Sequence, residues 1–131
     1  MKAILLSIKP EYVKKILAGT KKYEYRRRLA KEEISTILIY STYPVMKVVA
    51  QAEVSGTICA NPSALWEKTK ANAGISRKKY REYFQGCKKA NAYELGEIKA
   101  FDEPKSLLDY NISFAPQSFV YVTFEDENNI S

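Results

Sequence analysis

Gly19-Thr20-Lys21-Lys22-Tyr23-Glu24-Tyr25-Arg26 changes its periodicity partway along. Before it, Pro10 sits at a first-turn position and Tyr12, Val13, Ile16 and Leu17 recur at helical spacing, with Gly19 placed to cap the helix in a left-handed conformation. From Lys22 to Arg28 aromatic and charged residues alternate. A strand here places Tyr23 and Tyr25 on one face and Glu24, Arg26 and Arg28 on the other. Arg27 would share the tyrosine face, so the pattern breaks at the strand's end.

Upstream, the apolar run Ala3 to Ile8 reads as a buried strand, completing a β-α-β opening. Downstream, Ile34 to Tyr40 and Val48 to Thr57 read as strands, with Tyr43-Pro44 at the turn between them and Gly56 at a bulge. Asn61-Pro62 and Ser76 are helix starts, the first opening a segment with Leu65 and Trp66 that ends at Gly74, the second a short helix with Tyr80, Tyr83 and Phe84 that ends at Gly86. Ala90 to Phe101 reads as a strand with a bulge at Gly96, Pro104 as the start of a loop, and Ser118 to Phe124 as a closing strand. The expected architecture is α+β: about six strands in a mixed β-barrel closed on itself, with short helices at the rim, as one domain over residues 1–124 followed by an acidic tail at 125–131.

The chain has 131 residues, a length suited to one domain, and ordinary globular proportions of 46% hydrophobic and 27% charged residues. It contains no histidine, which removes the commonest general base and zinc ligand and every Ser/His or Cys/His nucleophile pair. Cys59 and Cys87 lie 28 positions apart without metal-ligand neighbours, so no metal or cofactor is expected and both read as small apolar residues in a reducing cytoplasm. The N-terminal apolar run is too short for a signal h-region or a membrane span.

Charge is unevenly distributed. Residues 1–60 hold 11 basic and 5 acidic side chains, residues 61–99 hold 9 and 4, and residues 100–131 hold 1 and 6. The basic body carries most of ten Tyr, five Phe and one Trp, a pairing that favours a polyanionic partner with stackable rings. Within the opening stretch, Glu24 flanked by Lys21 and Arg26 is suited to accept a hydrogen bond from a base amino group while the cations hold phosphates. A solvated ion-pair strand would show the same spacing.

Ser7-Ile8-Lys9-Pro10-Glu11-Tyr12, the Ile16-Leu17-Ala18-Gly19-Thr20-Lys21 turn and Tyr23-Glu24-Tyr25-Arg26 resemble the opening of an ASCH domain, the activating-signal-cointegrator homology domain of the PUA-like superfamily. Tyr40-Ser41-Thr42, the Trp66 helix, Ile75-Ser76 to Tyr83-Phe84-Gln85-Gly86 and Ala115-Pro116-Gln117-Ser118-Phe119 extend the resemblance, to a bacterial, phage-related branch, as far as Phe124. The resemblance implies a PUA-like barrel with a cleft beside the first helix, and binding of RNA or of a modified base. It places Lys21, Glu24 and Arg26 at that cleft, with Lys9, Tyr40 and Ser41 as neighbours. Trp66, Tyr83 and Phe84 have the helical spacing of packing residues; one of them, Trp66 before the others, is alternatively placed to cap the cleft and stack on a base.

The expected function is an RNA-binding or modified-base-binding domain in RNA processing or in translation or transcription regulation, with RNA or a nucleotide or modified nucleoside as partner. Two catalytic alternatives follow from the resemblance. Some small ASCH proteins are amidohydrolases on acylated cytidine and use a lysine with a threonine three residues on, but here that place holds Glu24. A ribonuclease would use Lys21 and Glu24 as its acid and base. A protein partner for the acidic tail is a third reading.

Overall fold

The computed structural model describes residues 2–123. Their strands form one six-stranded mixed sheet in the order β2-β5-β4-β3-β1-β6. They are β1 (Lys2–Ile8), β2 (Tyr23–Arg26), β3 (Thr36–Ser41), β4 (Lys47–Ala60), β5 (Ala90–Lys105) and β6 (Phe119–Thr123). The helices are α1 (Pro10–Ala18), α2 (Pro62–Thr69) and α3 (Arg77–Tyr83), with short 3-10 turns at Lys70–Asn72 and Leu107–Tyr110. β1 and β3 pair in parallel and the other neighbours are antiparallel.

The local signals act where the sequence puts them. Pro10 starts α1, and Gly19 ends it at φ 82° with its N–H on the Ile16 and Lys15 carbonyls. Asn61 Oδ1 accepts the Ala64 N–H at 2.8 Å and Ser76 Oγ accepts the Lys79 N–H at 3.2 Å, so each helix start has a side-chain cap. β4 and β5 shift register around Val54/Gly56, the bulge expected at Gly56. Gly96 lies in the neighbouring shift, where an added Cβ would stand 2.5 Å from Glu53 Oε1.

Three expectations change. β2 ends at Arg26, because the Arg27 guanidinium turns to the Tyr83 carbonyl at 3.0 and 2.8 Å. β5 runs through Pro104 to Lys105. Val48 pairs with Lys105 and Ala50 with Ala100, so Pro104 lies in the looped-out part of β5, where a missing N–H costs no ladder bond. The barrel is not closed by hydrogen-bonded strands, since β2 and β6 are both edges. β1 is already paired on both sides, but β6 reaches only to Leu6. Beyond it the free side of Ser7 is taken by a side chain, with Arg26 Nη2 donating to the Ser7 carbonyl at 3.1 Å. The sheet therefore has a seam between β2 and the end of β1, bridged by a guanidinium. The expected acidic tail at 125–131 lies outside the described residues.

The core has three parts. Ile4, Leu6, Ile37, Ile39 and Tyr93 pack against Val13 and Ile16 of α1. Leu5, Leu38, Tyr40, Val48 and Val122 fill another cluster. Tyr25, Leu65, Tyr80, Phe84 and Ala92 join α2 and α3 to β2 and β5. In that last cluster Tyr25, Tyr80 and Phe84 meet edge to face with centroids 4.9 to 6.2 Å apart, an arrangement favoured by the ring quadrupole. The seam is thus flanked by α1 and α3, each anchored in its own apolar cluster.

Candidate functional site

The seam opens into a cleft of about 490 Å³ lined by residues of β1, α1, β2 and α3. Lys21, Glu24 and Arg26 converge there, with Lys9 at its margin and Tyr12, Tyr25 and Tyr83 as aromatic walls. Four cations and two carboxylates line it.

Glu24 and Arg26 share a face of β2 as their two-residue spacing requires. Arg26 donates from Nε at 3.1 Å and from Nη2 at 2.6 Å to one carboxylate oxygen, Glu24 Oε2. With Nη2 also on the Ser7 carbonyl, the guanidinium fixes both the carboxylate and the seam. Glu24 Oε1 has no hydrogen-bond partner among the described residues, and no fully buried side-chain oxygen among them is left unsatisfied, so this oxygen keeps some contact with the cleft although Glu24 as a whole is buried.

Lys21 follows the Gly19 turn and is only 3% exposed. Its Nζ donates to the Ala73 carbonyl at 2.8 Å and stands 5.3 Å from the Tyr12 ring centroid and 4.9 Å from that of Tyr25. Burial pulls its ammonium down to about 8; Glu24 opposes this, and Lys15 and Arg26 add to it. Burial likewise pushes the Tyr25 phenol up to about 12 despite its 2.6 Å hydrogen bond with Thr69 Oγ1. Gly74 lies against Lys21: at φ +65°, its added Cβ would stand 2.4 Å from Lys21 Cβ. Only glycine lets the chain pass this close.

α3 is tied to the end of β2 by Arg27, whose guanidinium also lies 4.6 Å from the Tyr83 ring centroid. Across the cleft, Lys79 of α3 stands 3.8 Å from Glu11 of α1.

Four of the seven residues expected at the site are brought together: Lys9, Lys21, Glu24 and Arg26. Tyr40 and Ser41 do not line the cleft. Ser41 is buried and paired with Ile8, and Tyr40 points into the cluster with Leu5, Leu38 and Val122. Trp66 is also elsewhere. It packs on Tyr80 at 4.8 Å between centroids and lines a second hollow on the other side of α3. Of the three aromatic residues offered as a cap for the cleft, Tyr83 lines it and Trp66 and Phe84 do not. The sequence reading missed Tyr12 as a wall, since helical spacing marked it only as a packing residue, and it missed the Ala73 carbonyl, which no side-chain pattern signals. Among the described residues no group of three or more His, Cys, Asp or Glu is placed to hold a metal, and no helix is long and apolar enough to cross a membrane.

The ASCH domain model matches residues 6–104, most of the chain and all of the cleft. The chain belongs to the ASCH domain family. A protein of Zymomonas mobilis subsp. mobilis, described as an ASCH domain-containing ribonuclease, is 34% identical over 122 residues, covering 81% of this chain and 82% of that protein. The crystal structure of ASCH from Zymomonas mobilis superposes with a TM-score of 0.83 at 31% identity, over 92% of this chain and 87% of that one. A tyrosine-to-phenylalanine variant of the Zymomonas mobilis protein superposes with a TM-score of 0.86 at 30% identity, over 99% and 96%.

Proposed function

We propose that this ASCH domain binds RNA and takes one base of a single strand into the seam cleft. The observation that carries the reading is the convergence of Lys21, Glu24 and Arg26 on an open cleft walled by Tyr12, Tyr25 and Tyr83. Its volume of about 490 Å³ lies within the usual range for small-molecule sites. Tyr12 and Tyr83, both partly exposed, offer surfaces for a ring, the free Glu24 Oε1 accepts from a base amino group, and Lys9 and Lys79 at the margin attract phosphate. The ribonuclease description of the Zymomonas mobilis relative supports RNA as the ligand class.

A labelled random RNA pool, followed by fluorescence anisotropy, tests the reading. Wild-type affinity is expected to fall steeply from about 50 to about 200 mM salt. Lys21→Met and Arg26→Ala proteins that retain a cooperative melt are expected to bind at least about tenfold more weakly. Salt-independent binding, or no binding to any RNA pool, overturns it.

A second reading is catalytic. Lys21, held near a pKa of 8, is placed in the same cleft as Glu24, whose Oε1 is free. In an RNA cleavage Glu24 would take the 2′-hydroxyl proton as that oxygen attacks phosphorus. The P–O5′ bond would break, Lys21 would protonate the departing O5′, and the products would be a 2′,3′-cyclic phosphate and a 5′-hydroxyl. End-labelled RNA incubated with excess protein decides it: cyclic-phosphate products absent from Glu24→Gln support cleavage, and intact RNA at high protein removes it. The amidohydrolase alternative fares worse, because Thr20 Oγ1 donates to the Lys15 carbonyl at 3.3 Å, is exposed, and does not line the cleft.

A further inference from the structure

We infer that the hollow between α2 and α3 is a second nucleotide subsite, where a base of the same RNA strand stacks on Trp66 while Arg77 and Arg81 hold its phosphates. The inference rests on the RNA reading of the cleft and extends it across α3.

The hollow measures about 500 Å³, as large as the cleft, and Trp66, Arg77, Arg81, Gln85 and Ser63 are among its lining. Arg77 and Arg81 are four residues apart, so both project from one face of α3, and both are exposed. Neither closes an ion pair among the described residues. The carboxylate in the hollow, Glu67, is engaged by Lys70 at 2.7 Å, and Arg77 is near enough to help hold its carboxyl below the ordinary range. The two guanidiniums thus face a hollow whose one acid already has a partner. Trp66 is half-buried, braced by Tyr80, and Tyr80 is itself fixed by its hydroxyl bond to the Pro62 carbonyl at 2.8 Å. An indole held rigidly beside two guanidiniums and a carboxamide is the combination that single-stranded nucleic acid uses: a flat surface for any base, and charge for its backbone.

Placement adds a second argument. α3 is a seven-residue ridge with a recess on each side: Lys79, Glu82 and Tyr83 face the cleft, and Arg77, Arg81 and Gln85 face the hollow. Arg77, Lys78, Lys79 and Arg81 all stand exposed on it. A strand with one base in the cleft and another on Trp66 crosses these cations. An acidic peptide would use the arginines but has no need of the indole.

Trp66 is the sole tryptophan, so its emission reports on the hollow directly. The probes are a trinucleotide and a twelve-nucleotide oligouridylate, unlabelled for tryptophan emission and fluorescein-labelled for anisotropy. The longer probe is expected to quench Trp66. The Arg77→Ala/Arg81→Ala protein is expected to bind it about tenfold more weakly, with a salt slope flatter by about 1.4, the value for two single-strand phosphates. Trp66→Phe, which keeps an aromatic contact with Tyr80, is expected to weaken it about fivefold. The trinucleotide, which fills the cleft alone, is expected to bind the double variant as it binds wild type. If the longer probe binds in an Arg26-dependent way, yet leaves Trp66 emission unchanged and binds the double variant within about twofold of wild type, the second subsite is overturned and the cleft reading stands. If no RNA binds, both fall. Quenching by polyglutamate equal to that by RNA at the same ionic strength assigns the hollow to an acidic protein and overturns the proposal.

Discussion

The two recesses flanking α3 are alike in size and opposite in electrostatic state. In the cleft the central charges are committed within the fold: Arg26 to Glu24 and the Ser7 carbonyl, Lys21 to the Ala73 carbonyl and two tyrosine faces. In the hollow Arg77 and Arg81 are exposed and without ion pairs among the described residues. Committed charges hold one geometry and so can discriminate among ligands, at a cost in desolvation. Uncommitted charges attract any phosphate, cost the fold little and discriminate poorly. The proposed RNA reading therefore assigns specificity to the seam and general affinity to the far side of α3.

The largest test of that contrast is Gly74→Ala. The new Cβ meets the buried Lys21 side chain at 2.4 to 2.8 Å in a positive-φ position, and overpacking plus backbone strain together cost about 3 to 4 kcal/mol. Gly19→Ala has a similar φ of +82° and nothing within 4 Å of its Cβ, so it isolates the backbone share at about 1 kcal/mol. Urea unfolding of the two proteins measures the difference. Equal losses would show that the approach to Lys21 is not tight.

Next comes pH. Lys21 titrates near 8 in the fold against an ordinary 10.5, so between those values the unfolded chain holds the proton more tightly and stability rises with pH. From about pH 7.5 to about pH 10 the wild type is expected to gain about 2 kcal/mol relative to Lys21→Met, which has nothing to titrate there. The raised Tyr25 pKa acts in the opposite sense only above the ordinary tyrosine value of 10.0, outside that window. RNA affinity is expected to run against stability, falling above pH 8 as Lys21 loses its charge. A wild-type curve parallel to that of Lys21→Met contradicts the burial assigned to this lysine.

The smallest effect belongs to the hollow. Asn61→Ala removes the cap of α2, whose residue Trp66 forms one wall, and is expected to cost about 1 kcal/mol of stability in a thermal melt while leaving trinucleotide binding unchanged. Weakened trinucleotide binding would mean that the two recesses are not separable.

The local punctuation was legible in the sequence: the Gly19 turn, the caps at Asn61 and Ser76, the bulge at Gly56, and the two-residue spacing that sets Glu24 beside Arg26. Tyr40 and Ser41 show where adjacency misleads. β3 turns Tyr40 into the cluster of Leu5, Leu38 and Val122 and buries Ser41 beside Ile8, so neither reaches the cleft, whereas on β2 the neighbours Glu24, Tyr25 and Arg26 all do. Trp66 lies beyond local reasoning of any kind, because the side of α3 it occupies is decided by how two short helices pack through Tyr80 and Phe84. Seam closure by a side chain in place of a ladder depends on β6 stopping at the register of Leu6, a long-range fact with no marker near Arg26.

The turn at Ala73-Gly74 gives these recesses a common support. Its carbonyls receive Lys21 and Lys15, its glycine makes room for the Lys21 stem, and the chain on either side leads into α2 and α3. The side chains on the outer face of the hollow, Arg77, Arg81 and Gln85, are exposed and can each be changed without moving the backbone. The turn has no such freedom. A change there reaches the Lys21 stem and the chain between α2 and α3 at once, so both recesses rest on one short foundation.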